Sequence, residues 1–160
     1  MKKFLALTCA LILVLSLVGC NRQATTETPT EPIPAVSAVP NEWGLVLETE
    51  NVTESGLTIL CHHTGGEDVM ELQTGSYYVI QKPDATGWID VEYLPHDFEI
   101  AWTMEAWMIQ QESTTTWDVN WEFLYGKLPA GKYRIGKEIM NFRGPGDYDK
   151  CMLYAEFTIQ

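Results

Sequence analysis

Leu128-Pro129-Ala130-Gly131-Lys132-Tyr133-Arg134-Ile135 describes a corner between two β-strands. Pro129 and Gly131 set a turn, and Tyr133 and Ile135 open the following strand on its buried face. A tyrosine just inside a strand, after a Leu-x-Pro-x-Gly turn, buries its ring and returns its hydroxyl to upstream backbone, the tyrosine corner of two-sheet sandwiches. That predicts an all-β chain. It says little of function, because a sandwich is a scaffold on which sites are grafted.

Outward from the corner the chain reads as short strands punctuated by turns. Lys132 to Ile139 continues from it and Lys150 to Ile159 closes the sheet. Upstream, Trp117, Val119 and Trp121 alternate with Asp118 and Asn120 as a half-buried strand with its apolar residues inward. Tyr77 to Gln81 and Trp88 to Glu92 flank Lys82-Pro83-Asp84-Ala85-Thr86-Gly87, a hairpin signal. Gly44 to Glu50 and Leu57 to His62 flank the turn at Asn51-Val52-Thr53-Glu54-Ser55-Gly56. Between these parts, Phe98 to Gln110 fits either a strand or one helical turn around Trp102 to Trp107. Strands at this spacing with no long amphipathic helix favour a sandwich over an α/β fold.

The N-terminus has a different character. Met1-Lys2-Lys3 is a short basic head, Phe4 to Val18 is almost unbroken apolar sequence, and Leu17-Val18-Gly19-Cys20 ends it with a small residue before a cysteine. The run falls short of the roughly 20 apolar residues of a spanning helix, so residues 1–19 read as an export signal. The ending resembles the lipobox of bacterial lipoproteins, which implies that Cys20 receives a diacylglyceryl group and becomes the mature N-terminus. Multiple acyl chains on one residue meet the need for more than one signal in stable anchoring. The expected location is the cell membrane, lipid-anchored and facing the extracytoplasmic side. From Cys20 to Asn41, Thr, Pro, Glu and Ala show no apolar period, which predicts a disordered tether stiffened by its prolines. Residues 42–160 are then one domain, long enough to bury a core.

The chain has 10 basic and 22 acidic residues. Loss of Lys2 and Lys3 with the signal lowers the basic count to 8 and gives a formal net charge of −14. Nucleic acid and anionic lipid surfaces would be repelled, so neither is expected as a partner. Two of the four cysteines, Cys61 and Cys151, remain for the domain; both share a phase with core residues, and an exported compartment leaves a disulfide between them open.

From Gly44 onward the chain resembles a bacterial immunoglobulin-like domain found in lipoproteins of Gram-positive bacteria. The resemblance rests on Trp117 to Ile135, on Phe142-Arg143-Gly144-Pro145-Gly146-Asp147-Tyr148 and on Ala155-Glu156-Phe157, with Asn51-Val52-Thr53 and Gly56-Leu57-Thr58 as recognisable turns. It implies an immunoglobulin/fibronectin-III-like antiparallel β-sandwich at the cell surface. It brings no reaction, ligand or catalytic residue.

Among candidate sites, the connection Asn141 to Asp149 stands first: Phe142, Arg143, Asp147 and Tyr148 would be presented on a long loop at one end of the sandwich, and their types are those that anchor interfaces. A fold-back of Phe142 and Tyr148 onto the core is the competing reading. Cys61-His62-His63, with His96, contains metal-ligand types, but neighbours on a strand face opposite ways and a closed zinc site needs four converging donors. The carboxylates of Asp147 and Asp149 lack the spacing of a calcium loop. No metal or other cofactor is therefore expected. Trp102 and Trp107, if exposed, would make a glycan platform. Gly-x-Ser-x-Gly, His-Glu-x-x-His, phosphate-loop and dinucleotide motifs are missing, so no enzyme is expected. The sequence thus favours a lipid-anchored, non-catalytic module that binds a protein or envelope component, with a small-ligand, metal or glycan receptor as the alternative.

Overall fold

The computed structural model describes residues 39–160. The signal segment, Cys20 and most of the tether lie outside them. Eight strands and one helical turn follow in order: β1 (Leu45–Glu50), β2 (Gly56–His63), β3 (Glu71–Asp84), β4 (Gly87–Asp90), β5 (Trp107–Met108), β6 (Thr114–Asn120), α1 (Glu122–Tyr125), β7 (Gly131–Gly144) and β8 (Asp147–Ile159). They form two antiparallel sheets, one ordered β1-β2-β6 and the other β4-β3-β7-β8, with β5 also paired to β3. This is the sandwich expected from the strand spacing.

Period-two patterning decides which face each strand buries. Along β2, Leu57, Ile59, Cys61 and His63 are buried in turn, and along β8 Ala155, Phe157 and Ile159 are. Facing them, β7 contributes Tyr133, Ile135 and Ile139. The Tyr133 hydroxyl donates to Pro129 O at 3.0 Å, which completes the tyrosine corner. Its ring stacks on Phe157, and Phe157 in turn meets Trp121, both at 5.6 Å between centroids.

Three readings change. The strand through Trp117 stops at Asn120, whose Oδ1 accepts the Glu122 N–H at 3.0 Å and starts α1. Trp121 thus lies just past the strand but keeps the inward phase of Trp117 and Val119: it is fully buried and its Nε1–H donates to Glu54 O at 3.0 Å. The stretch 98–110 is neither a full strand nor a helical turn: only Trp107 and Met108 pair, with Thr74 and Gln73. Finally, Asn141 to Asp149 is not a long loop. The β7–β8 ladder runs on through Asn141↔Asp149 and Phe142↔Tyr148 to Gly144↔Asp147, leaving Pro145-Gly146 as the tip. Alternation within these residues is weak, but the ladder they extend is anchored by strong apolar pairs nearer the core, so pairing propagates outward.

Candidate functional site

β3 is interrupted where it matters. Thr74 pairs with Ile139 and Tyr78 with Lys137, so Gly75, Ser76 and Tyr77 lie opposite the single residue Glu138. Bulges of this kind bend a strand and re-aim its groups, and they occur often beside functional sites. Here the bulge turns the carbonyls of Gly75 and Tyr77 toward Lys137, whose Nζ donates to both, at 3.1 Å in the case of Tyr77. Thr74 Oγ1 closes the other side by donating to Glu138 O at 2.7 Å.

Lys137 follows Tyr133 and Ile135 on the inward face of β7 and is 1% exposed. Its ammonium lies 4.9 Å from the centre of the Trp107 ring. Burial pushes it down from its ordinary 10.5 to about 8. Beside it the chain from β4 to β5 folds over the open edge of the sandwich. Trp102 packs edge-on against Tyr77 and Tyr78 at 5.3 and 5.1 Å, and Ser76 Oγ donates to Thr103 O at 3.1 Å. Further along, His96 lies against Phe98 and Phe123 at 5.2 and 4.9 Å, and its Nε2 has no partner among the described residues. Together they leave a cleft of about 350 Å³ between β3 and β6, walled by Phe98, Trp102, Trp107 and Phe123, with Lys137 in its lining and Asp118 and Asn120 at its β6 side. Phe98 and Phe123 are 58% and 63% exposed, unusually open for side chains of that size. A concave, aromatic-walled space with a few polar groups is the general form of a small-ligand site.

A family model described as a bacterial Ig-like domain matches residues 41–158. The chain belongs to this bacterial Ig-like family. No curated protein and no solved structure matches it. Ig-like membership agrees with the two-sheet fold and with a non-catalytic module; the cleft is a feature that this Ig-like domain builds from its own bulge and its own β4–β5 connection.

The residues singled out from sequence are scattered over the Ig-like domain. Arg143 is at the hairpin tip, its Nε donating to Asp147 at 2.8 Å and its Nη1 to Asp149 at 2.7 Å, so its charge is taken up within the hairpin. Phe142 is half-buried, Tyr148 is exposed, and the Lys150 ammonium lies 5.6 Å from the Tyr148 ring. Cys61 and Cys151 are both free thiols, Cys61 buried and Cys151 half-buried with Asn41 Nδ2 donating to its sulfur at 3.6 Å. Burial pushes Cys61 up to about 12 and Cys151 up to about 11. His62 bonds Thr114 on the outer side while His63 is buried and accepts the Glu112 N–H, at 2.8 and 2.9 Å, so the two diverge as strand geometry requires. Among the described residues no group of three or more His, Cys, Asp or Glu side chains is placed to hold a metal. Trp102 and Trp107 are half-buried and do line the cleft. Lys137 and the bulge were not singled out, although a lysine in phase with Tyr133, Ile135 and Ile139 was a visible signal.

These shifts fix a pH dependence. Lys137 is lowered in the fold, so holding its charge buried costs stability below about pH 8, and the cost is relieved as pH rises from 8 toward 10.5. The two thiols are raised, so their contribution is full below the ordinary thiol value of 9.0 and is lost above it. Stability of the protein is expected to rise by only about 0.3 kcal/mol between pH 8 and 9, where the thiols offset most of the lysine's gain, and to fall beyond. Chemical denaturation at half-unit steps checks this, and a monotonic fall from pH 7 would show that Lys137 is not desolvated.

Proposed function

We propose that this chain is a lipid-anchored, extracytoplasmic, non-catalytic binding module. Cys20 carries the anchor, the Thr/Pro/Glu-rich segment tethers the domain, and the ligand enters the aromatic cleft beside the β3 bulge. The observation that carries the binding role is that Phe98 and Phe123 stay mostly exposed on the wall of a concavity, where a protein with no use for them would bury them. The lipobox pattern Leu17-Val18-Gly19-Cys20 supports the anchor, and the excess of acidic residues suits a soluble domain outside the cell.

Two arms test it. Cys20→Ala is expected to move the protein from the membrane fraction to the medium; retention in the membrane would refute lipid anchoring. For the cleft, a neutral flat aromatic, 2-naphthamide, is titrated into the purified full chain in detergent. Saturable binding is expected, weakened about tenfold by Phe98→Ala with Phe123→Ala through loss of ring stacking. Unchanged binding in a folded double variant would remove the cleft from the account.

A further inference from the structure

We infer that the ligand of this cleft is a small organic carboxylate, with a flat apolar body between the aromatic walls and its carboxylate on the Lys137 ammonium. The inference rests on the cleft reading above and adds the chemistry of the occupant. A buried charge ordinarily has an opposite charge beside it. Lys137 has none: its two hydrogen bonds go to the neutral carbonyls of Gly75 and Tyr77, and it takes part in no ion pair among the described residues. An ammonium has three N–H donors, so one remains for a ligand.

The nearest carboxylate on the walls does not fill the role. Asp118 is on the exposed phase of β6, where its Oδ1 accepts the Thr58 hydroxyl at 2.7 Å. An anion entering the cleft therefore meets one buried cation without a counter-charge, in a place where low polarisability strengthens the pair. Elsewhere the acidic surface disfavours anions, which makes this lysine a selective point rather than part of a basic patch. The volume of about 350 Å³ suits one or two rings with a short acid.

The test compares 2-naphthoate with its neutral analogue 2-naphthamide on the full chain at pH 7. The acid is expected to bind about tenfold tighter, the value of one charge-assisted hydrogen bond. Lys137→Met is expected to bring the acid level with the amide. Lys137→Arg keeps a cation and is expected to retain the preference at pH 9.5, where the wild type loses it; a lysine with only a structural role would not produce that difference. Tyr78 from β3, Trp107 from β5 and Asp118 on the exposed phase of β6 line the same cleft as Lys137, and Tyr77 meets it through its carbonyl; burial holds both tyrosines above their ordinary range, so they stay neutral at pH 9.5. Equal affinity of the wild type for acid and amide, with Phe98 and Phe123 still required, would overturn the carboxylate inference and leave the cleft standing. Binding of neither compound would overturn both. Should Lys137→Met not fold, the wild-type pH profile decides alone: a preference unchanged from pH 7 to 9.5 overturns the inference.

Discussion

Trp121→Ala is expected to cost about 4 kcal/mol and lower the melting temperature by about 15 °C. Trp121 is fully buried, packs on Phe157, and gives its indole N–H to Glu54 O across the turn between β1 and β2. Truncation opens a cavity at the centre of the sandwich, and because Glu54 O keeps the Leu128 N–H at 2.8 Å, the lost packing carries the cost. Trp117→Ala is the comparison: that ring is half-buried on β6, and the loss should be about half as large. Thermal melts of the two variants beside the wild type check both values. A loss under about 2 kcal/mol at Trp121 would mean that Tyr133 and Phe157 collapse into the space.

Gly44→Ala is expected to cost about 3 kcal/mol, from a residue with no side chain to lose. Gly44 has φ of +71°, and a Cβ there would press into Thr64 O and lie 2.7 Å from Gly65 O. Both obstacles are backbone, held in place because the Thr64 N–H donates to Gly44 O at 2.9 Å. Neither can swing aside as a side chain would. Gly146→Ala separates the two causes: its φ is +78° but nothing lies within 4 Å of the added carbon, so only the conformational part, about 1 kcal/mol, should appear. Denaturant midpoints of the pair give the difference directly. Equal losses would mean that the close approach at Gly44 is relieved by movement of the chain after β2.

Local patterning determined much of this protein. The Pro129 to Ile135 corner, the alternation along β2 and β8, and the turn at Asn51 to Gly56 each specify a strand and its buried face through rules that operate over a few residues, and the sandwich follows from their spacing. The same rules misplace what depends on pairing partners. Asn141 to Asp149 looks like a loop because glycines and charges dominate it, yet the ladder from Gly131↔Ile159 carries it into the hairpin. Trp121 alternates correctly with Trp117, and the strand nonetheless ends one residue earlier, where Asn120 Oδ1 accepts the Glu122 N–H and the chain turns into α1.

For the candidate site, Trp102 and Trp107 were visible as residues of a stretch without clear periodicity, and their joint wall with Phe98 and Phe123 was not, since Phe123 comes from a different element. Residue order alone could not show that three residues of β3 stand opposite Glu138, and that count is what turns two carbonyls onto Lys137. A bulge is a mismatch between two strands far apart in sequence, so only their pairing in the folded chain decides where it falls and which side chain it serves.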